Sequence, residues 1–307
     1  MIRLLTANAA ASGGRRQARL ARRCRRRIGR SLRACAVAGL LLAAVTAQRA
    51  VAADWVDDTF LRGSLGGKGY MRWDGVNFGA QIGVSNMNTD FGNSTSGLIA
   101  YSLRNTEVED QFSPSNWTTL PSNTTNGRQY GAFLGYNWQW DQLVLGMDAA
   151  YNRISSLNSS ASDTIGRQVV TTPDNINNSL TITAQSSLKL IDYATLRARA
   201  GYAMGQFLPY ATLGAAVGRF NYANTATVHN VGTPPAGSPI LPFDVTDVQN
   251  NSKNNAITGG FEIGLGLDVA VLPNVFLRGE WEFVAFTPIS GIRANLNTGR
   301  VALGVRF

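Results

Sequence analysis

The sequence predicts an all-β fold, an eight-stranded antiparallel transmembrane β-barrel, and three observations carry that prediction. Apolar and polar residues alternate with period two through eight separate segments. Tight connections alternate with much longer ones, the parity of a membrane barrel whose long loops share one side. Beyond residue 52 no stretch of eighteen apolar residues occurs, so strands and not helices must do any crossing of a bilayer.

The chain begins differently. Overall it carries 28 Lys+Arg against 19 Asp+Glu, net +9, a balance that first invites a nucleic-acid partner. Residues 1–52, however, hold twelve of the arginines and no acid, in stretches such as "RRQARLARRCRRRIGRSLR". From residue 53 on, 28 − 12 leaves 16 basic residues against 19 acidic ones, or −3, so no nucleic acid is expected as partner. Behind the arginines stands "ACAVAGLLLAAV", followed by Ala50-Val51-Ala52. Basic, apolar and small-residue segments in that order predict a cleaved secretory signal over 1–52, too short to span a membrane as a helix. Both cysteines, Cys24 and Cys35, fall inside it. The exported chain then has no disulfide or thiolate metal site, and burial or lipid must stabilise it.

Residues 53–75 read as a periplasmic lead-in, and 76–307 as the barrel with three long extracellular loops. In "VNFGAQIGVSN", Val76, Phe78, Ala80, Ile82 and Val84 share one face and Asn77, Gln81 and Ser85 the other. "QYGAFLGYNWQW" places Tyr130, Leu134, Tyr136, Trp138 and Trp140 opposite Gln129, Phe133 and Asn137; Asp141-Gln142 turns the chain, and Leu143, Leu145, Met147 and Tyr151 then oppose Val144, Asp148 and Asn152. "DYATLRARAGYAM" sets Leu196, Ala198 and Tyr202 against Thr195, Arg197 and Arg199. After Gly205-Gln206 comes "FLPYATLGAAVGRFNY", a strand whose two faces the alternation does not assign. "AITGGFEIGLGLDVAV" opposes Phe261, Ile263, Leu265 and Leu267 to Glu262 and Asp268, Pro273-Asn274 turns, and "VFLRGEWEFVAF" opposes Leu277, Trp281 and Phe283 to Arg278, Glu280 and Glu282. The last strand sets Val301, Leu303, Val305 and Phe307 against Arg300 and Arg306.

Alternation alone fits a soluble barrel as well as a membrane one. The aromatics favour the membrane: Trp73, Trp138, Trp140, Tyr202, Phe207 and Phe307 fall near the short turns, and Tyr130, Tyr151, Tyr222 and Phe283 near the long connections, as two interfacial belts would. The terminus agrees, because a last strand that pairs with the first leaves no edge exposed to hydrocarbon.

The segments "FLRGSLGGKGYMRWDGVNFGAQIGV", "GGFEIGLGLD", "RGEWEF" and "VALGVRF" resemble the small outer-membrane β-barrel proteins of Brucella and rhizobia, related to OmpA/OmpX-like and opacity-type barrels. The resemblance runs from about Trp55 to Phe307, strongest at the ends. It implies a monomeric or loosely oligomeric barrel in a Gram-negative outer membrane, among lipid and lipopolysaccharide. It also implies that Val301, Leu303, Val305 and Phe307 form the assembly signal read by the barrel-assembly machinery. Members of that family are described as structural, porin-like or adhesive.

The charged face supplies the candidate site. Eight strands enclose only enough space for side chains to fill. Arg197, Arg199, Arg278 and Arg300 are therefore expected to neutralise Asp148, Glu262, Asp268, Glu280 and Glu282 inside the bore, as structure or as a gated narrow ion path. The sole histidine, His229, has Ser238 and Asp244 near it in sequence, but no nucleophile elbow accompanies them. No enzyme, metal or cofactor is expected; the acids Glu107, Glu109 and Asp110 read as solvated loop. The expected role is envelope structure with limited porin-like permeability. The alternatives are contact with a host or phage through the Asn/Ser/Thr-rich loops and, least favoured, an enzyme at the rim.

Overall fold

The computed structural model describes residues 72–307. The expected signal segment and all but the last residues of the expected lead-in lie outside the described residues.

Nine strands follow in order: β1 (Gly75–Asp90), β2 (Asn123–Trp140), β3 (Leu143–Ser155), β4 (Asn158–Thr171), β5 (Asn177–Tyr202), β6 (Phe207–Thr233), β7 (Phe243–Leu272), β8 (Val275–Phe286) and β9 (Arg293–Arg306). All neighbours pair antiparallel, and eight of the nine close on themselves: β1 pairs with both β2 and β9, and β3 pairs directly with β5. The ring leaves no open edge at membrane depth, where each unsatisfied backbone group would cost about several kcal/mol. The seam runs from Asn77↔Arg306 to Asp90↔Arg293.

The outward face is apolar. Phe78, Ile82, Leu134, Leu145, Leu196, Leu265, Leu277, Val301 and Leu303 are exposed, while Asn77, Gln81, Asn137, Asn152 and Thr195 are buried in the bore. A soluble barrel would place these two sets the other way round. The three tight turns stand where the sequence puts them, with Asp141 and Gly205 at positive φ to reverse the chain. The strand left unassigned now has its faces: Leu208, Tyr210, Thr212, Ala216 and Phe220 point in, and Phe207, Leu213 and Val217 point out.

Two expectations need correction. The stretches between β3 and the ring part of β5, and between the ring parts of β6 and β7, are mostly strand, with 172–176 and 234–242 left as the hairpin tips. β5, β6 and β7 run far past the ring, and β4 pairs with the upper part of β5 as an additional strand. "SLTITAQSSLKL" buries Leu180, Ile182, Ala184, Leu188 and Leu190 on one face. Hydroxyl and amide side chains bond across the extended sheet, Ser186 Oγ donating to Asn224 Oδ1 between β5 and β6 at 2.7 Å and Thr225 Oγ1 to Asn250 Oδ1 between β6 and β7 at 2.8 Å. An irregularity between Leu190 and Asp192 shifts the alternation by one residue. It lies where β5 leaves its pairing with β3.

The second correction is Trp73. It is 1% exposed, so it belongs to the bore and not to an interfacial belt. Its indole Nε1 donates to the Gly205 carbonyl at 3.2 Å and its ring meets Phe276 edge-on.

The connection between β1 and β2 folds into two short helices, α1 (Ser96–Ser102) and α2 (Glu107–Phe112), and a 3₁₀ turn at Pro114–Asn116. Thr106 caps α2, accepting from the Glu109 amide, and left-handed Ser113 ends it. Ile99, Leu103 and Val108 pack on Leu180, Ile182, Ala226 and Val228, so the helices cover the apolar face of the strand extension.

Candidate functional site: the ion-paired bore

The pairing register itself brings opposite charges together. Asp148 stands across from Arg197 on β3 and β5, Asp268 from Arg278 on β7 and β8, and Glu280 from Arg300 on β8 and β9. Period-two alternation sends all six inward, so each pair is a cross-strand neighbour before any side chain reaches further.

The side chains then join the pairs into one network. Arg278 clamps Asp268 with two bonds, Nε to Oδ1 at 2.9 Å and Nη2 to Oδ2 at 3.1 Å, and extends Nη1 to Asp148 Oδ2 at 3.3 Å. Arg199 also bonds Asp268 and lies 3.8 Å from Asp148. Arg197 bonds Glu280 and sits 3.3 Å from Glu282, 3.6 Å from Glu262 and 3.7 Å from Asp148. Arg300 bonds Glu280 and reaches Glu282 Oε2 at 2.7 Å. None of the nine residues is more than 6% exposed. The expected inward group thus meets in one place, every arginine within salt-bridge distance of two or more carboxylates.

The sequence reading missed the neutral partners. Tyr210 donates to Glu280 Oε2 at 2.6 Å, Tyr193 to Glu282 Oε1 at 2.8 Å, and Thr212 to Glu262 Oε1 at 3.0 Å. The Arg199 guanidinium lies 3.5 Å from the Tyr210 ring centroid, and that of Arg278 4.2 Å from that of Phe133. Tyr210 and Thr212 stand on the strand with unassigned faces. Their parity with Leu208 and Phe220 was the available signal.

Apolar layers bound the charges at both ends. Toward the short turns lie Trp73, Phe133, Val144, Leu208 and Phe276. Arg306 is half-buried there, its guanidinium 4.9 Å from the Trp73 ring, and donates to the Pro273 carbonyl at 2.7 Å. Toward the long hairpins lie Phe220, Phe286, Val284, Leu188 and Leu296, with Phe220 and Phe286 edge-to-face at 5.0 Å. Phe91 and Ile292 complete that layer, and Asn224 Nδ2 donates to the Ser94 carbonyl at 3.0 Å.

The last strand presents Val301, Leu303 and Phe307 outward, with Val305 half-exposed. Phe307 stacks on Phe78 at 5.8 Å, and its amide donates to the Val76 carbonyl at 2.9 Å. Both contacts lie on the seam that closes the ring. Elsewhere, His229 Nε2 sits 2.7 Å from Asp244 Oδ1 on the β6–β7 hairpin, while Ser238 Oγ accepts from the Ile240 amide at 3.2 Å. Glu109 accepts from Ser115 at the end of α2. Among the described residues no group of three or more His, Cys, Asp or Glu is placed to hold a metal ion.

A closed ring, an apolar outside and a charged inside are the geometry of a bilayer-spanning barrel, and the family comparison agrees. The profile of the outer membrane protein beta-barrel domain matches residues 38–307. The chain belongs to this family. As an outer-membrane β-barrel domain its place is the outer membrane, with the apolar belt in lipid. Among solved structures it is similar to OprG of Pseudomonas aeruginosa, at 10% identity over 76% of this chain and 97% of that one, TM-score 0.31. It is likewise similar to Ail, the attachment invasion locus protein of Yersinia pestis, at 12% identity over 76% and 99%, TM-score 0.29. Neisserial surface protein A matches at 13% identity over 75% and 97%, TM-score 0.30. No curated protein sequence matches the chain.

Proposed function

We propose that this outer-membrane barrel is a non-conducting structural protein of the envelope. The observation that carries the reading is the filled bore: an ion-paired layer across the middle, closed by an apolar layer at each end. Moving an ion through it would require both apolar layers to open and guanidinium groups to leave buried carboxylates, each step losing desolvated contacts. The reading narrows the limited permeability expected from sequence to none.

Sugar permeation into proteoliposomes tests it. Swelling at the rate of protein-free vesicles is the expected result, and faster swelling would restore the porin-like reading. A second reading, contact with a partner through the hairpins, is favoured by the β4–β7 extension and by exposed Ile240 and Leu241 at the β6–β7 tip. The proposed role is non-enzymatic; its support is that Ser238 Oγ is bonded to the Ile240 amide and, among the described residues, not to His229.

The same proposal includes a cleaved signal over 1–52, a periplasmic lead-in over 53–75, and long hairpins facing outward. It also includes recognition of Val301, Leu303, Val305 and Phe307 by the assembly machinery, and a monomeric or loosely oligomeric state. The narrower kinship to barrels of Brucella and rhizobia rests on the segments quoted above.

A further inference from the structure

The outer wall carries a groove of about 540 Å³ across β2, β1, β9 and β8. Its origin is in the register. Arg128, Val84, Gly299 and Trp281 stand side by side in one row of the sheet, all pointing out. Gly299 leaves a gap between Val84 and Trp281, and Gly279, beside Val301 in the row below the groove, likewise carries no side chain. A Cβ built on either glycine would meet open space, so neither glycine is needed for packing.

Polarity changes sharply along this groove. Below the row the wall is Ile82, Val301 and Tyr130; in the row above, Asn126, Asn86 and Asn297 stand abreast on β2, β1 and β9, with Phe283 next to them on β8. This is the boundary between hydrocarbon and headgroups on the side of the long hairpins. Trp281, 43% exposed, stands at that boundary as interfacial tryptophans do. Arg128 is exposed and makes no ion pair or hydrogen bond among the described residues, and the Asn297 amide side chain is likewise unbonded. Asn86 and Asn126 bond each other at 2.7 Å and leave one oxygen and one nitrogen free.

We propose that this groove binds a phosphorylated glycolipid of the outer leaflet. An acyl chain lies over Gly279 and Gly299 beside Trp281, the phosphate meets the Arg128 guanidinium, and the sugar hydroxyls meet the asparagine row. Charge selects the occupant: an unpaired cation at headgroup depth fits an anionic group, and the apolar floor of Val84, Gly299 and Trp281 beside it fits the attached chain. The site gives the lipopolysaccharide contact expected from the sequence a location on the wall. It rests on the outer-membrane placement and not on the closed bore, so conductance and lipid binding fail separately.

The test is native mass spectrometry of the purified protein in non-ionic detergent, titrated with bisphosphorylated lipid A. One molecule should bind tightly, and Arg128→Gln should weaken it roughly tenfold, the loss of one charge-assisted bond. Gly299→Leu fills the gap and should weaken binding to a similar degree, while Arg293→Gln, exposed higher on β9, should not change it. Both groove variants should keep the compact unheated band on a detergent gel, since neither side chain enters the bore. Binding unchanged in both variants would overturn the site. Equal affinity for dephosphorylated lipid A, or displacement by millimolar inorganic phosphate, would overturn a phosphorylated lipid as the ligand.

Discussion

β5, β6 and β7 pass through two environments without a break, and the two halves of each strand are built by opposite rules. Within the ring the outward residues are apolar, Leu196, Leu213 and Leu265 among them, and the inward ones include Arg197, Thr212 and Glu262. Above Leu190 the buried face becomes the apolar one, Leu180, Ile182, Ala226 and Val228, covered by α1 and α2. The solvent around each half explains the reversal. Lipid accepts apolar side chains on the outside and forces polar ones inward, where they must find partners; water lets the extension bury its apolar face in the ordinary way. The ring is therefore held by backbone closure and paired charge between two apolar layers, the extension by a small apolar core.

That contrast predicts how each half breaks, beginning with the largest effect. Arg278→Ala removes the two-bond clamp on Asp268 and the closest partner of Asp148, leaving both to Arg199 and Arg197 in a bore with too little positive charge, and should cost about 3–5 kcal/mol; loss of the compact unheated gel band at a lower temperature reads it. Replacing a lipid-facing residue comes next. Leu303→Arg should cost about 2–4 kcal/mol if it lies near the bilayer midplane, measured by urea-induced unfolding from lipid vesicles. The same change in the extension, where Val248 is exposed to water, should leave that transition unmoved. Smallest for the ring is Leu180→Ala. It should cost the extension about 2–5 kcal/mol and accelerate proteolytic cleavage between residues 158 and 188, while the barrel band keeps its melting temperature.

The ring was readable because its rule is simple. Eight alternating segments, three tight turns and a charged face belonging to Asp148, Arg197, Arg278 and Glu280 needed only the two-residue period of a strand and the cost of burying charge. What escaped had a physical reason in each case. The upper part of β5 alternates clearly, but the irregularity after Leu190 moves its apolar residues to the other parity, so it does not continue the ring pattern. β4, "NSSASDTIGRQVVT", has few apolar residues and derives its order from pairing with β5, a long-range contact that composition does not reveal. Trp73 looks like any interfacial tryptophan until the ring closes around it. Tyr210 was hidden behind Pro209 in a strand rich in small residues, where two apolar faces gave alternation no contrast.

The central claim is that the charged layer stabilises a sealed bore and carries no current. Single-channel recording in planar bilayers tests it most directly, with the unaltered protein and with Glu280→Ala compared side by side. The account predicts no discrete steps from the unaltered protein, and for Glu280→Ala a lowered melting temperature. Resolved steps from the unaltered protein, with a conductance that changes in Glu280→Ala, would contradict it.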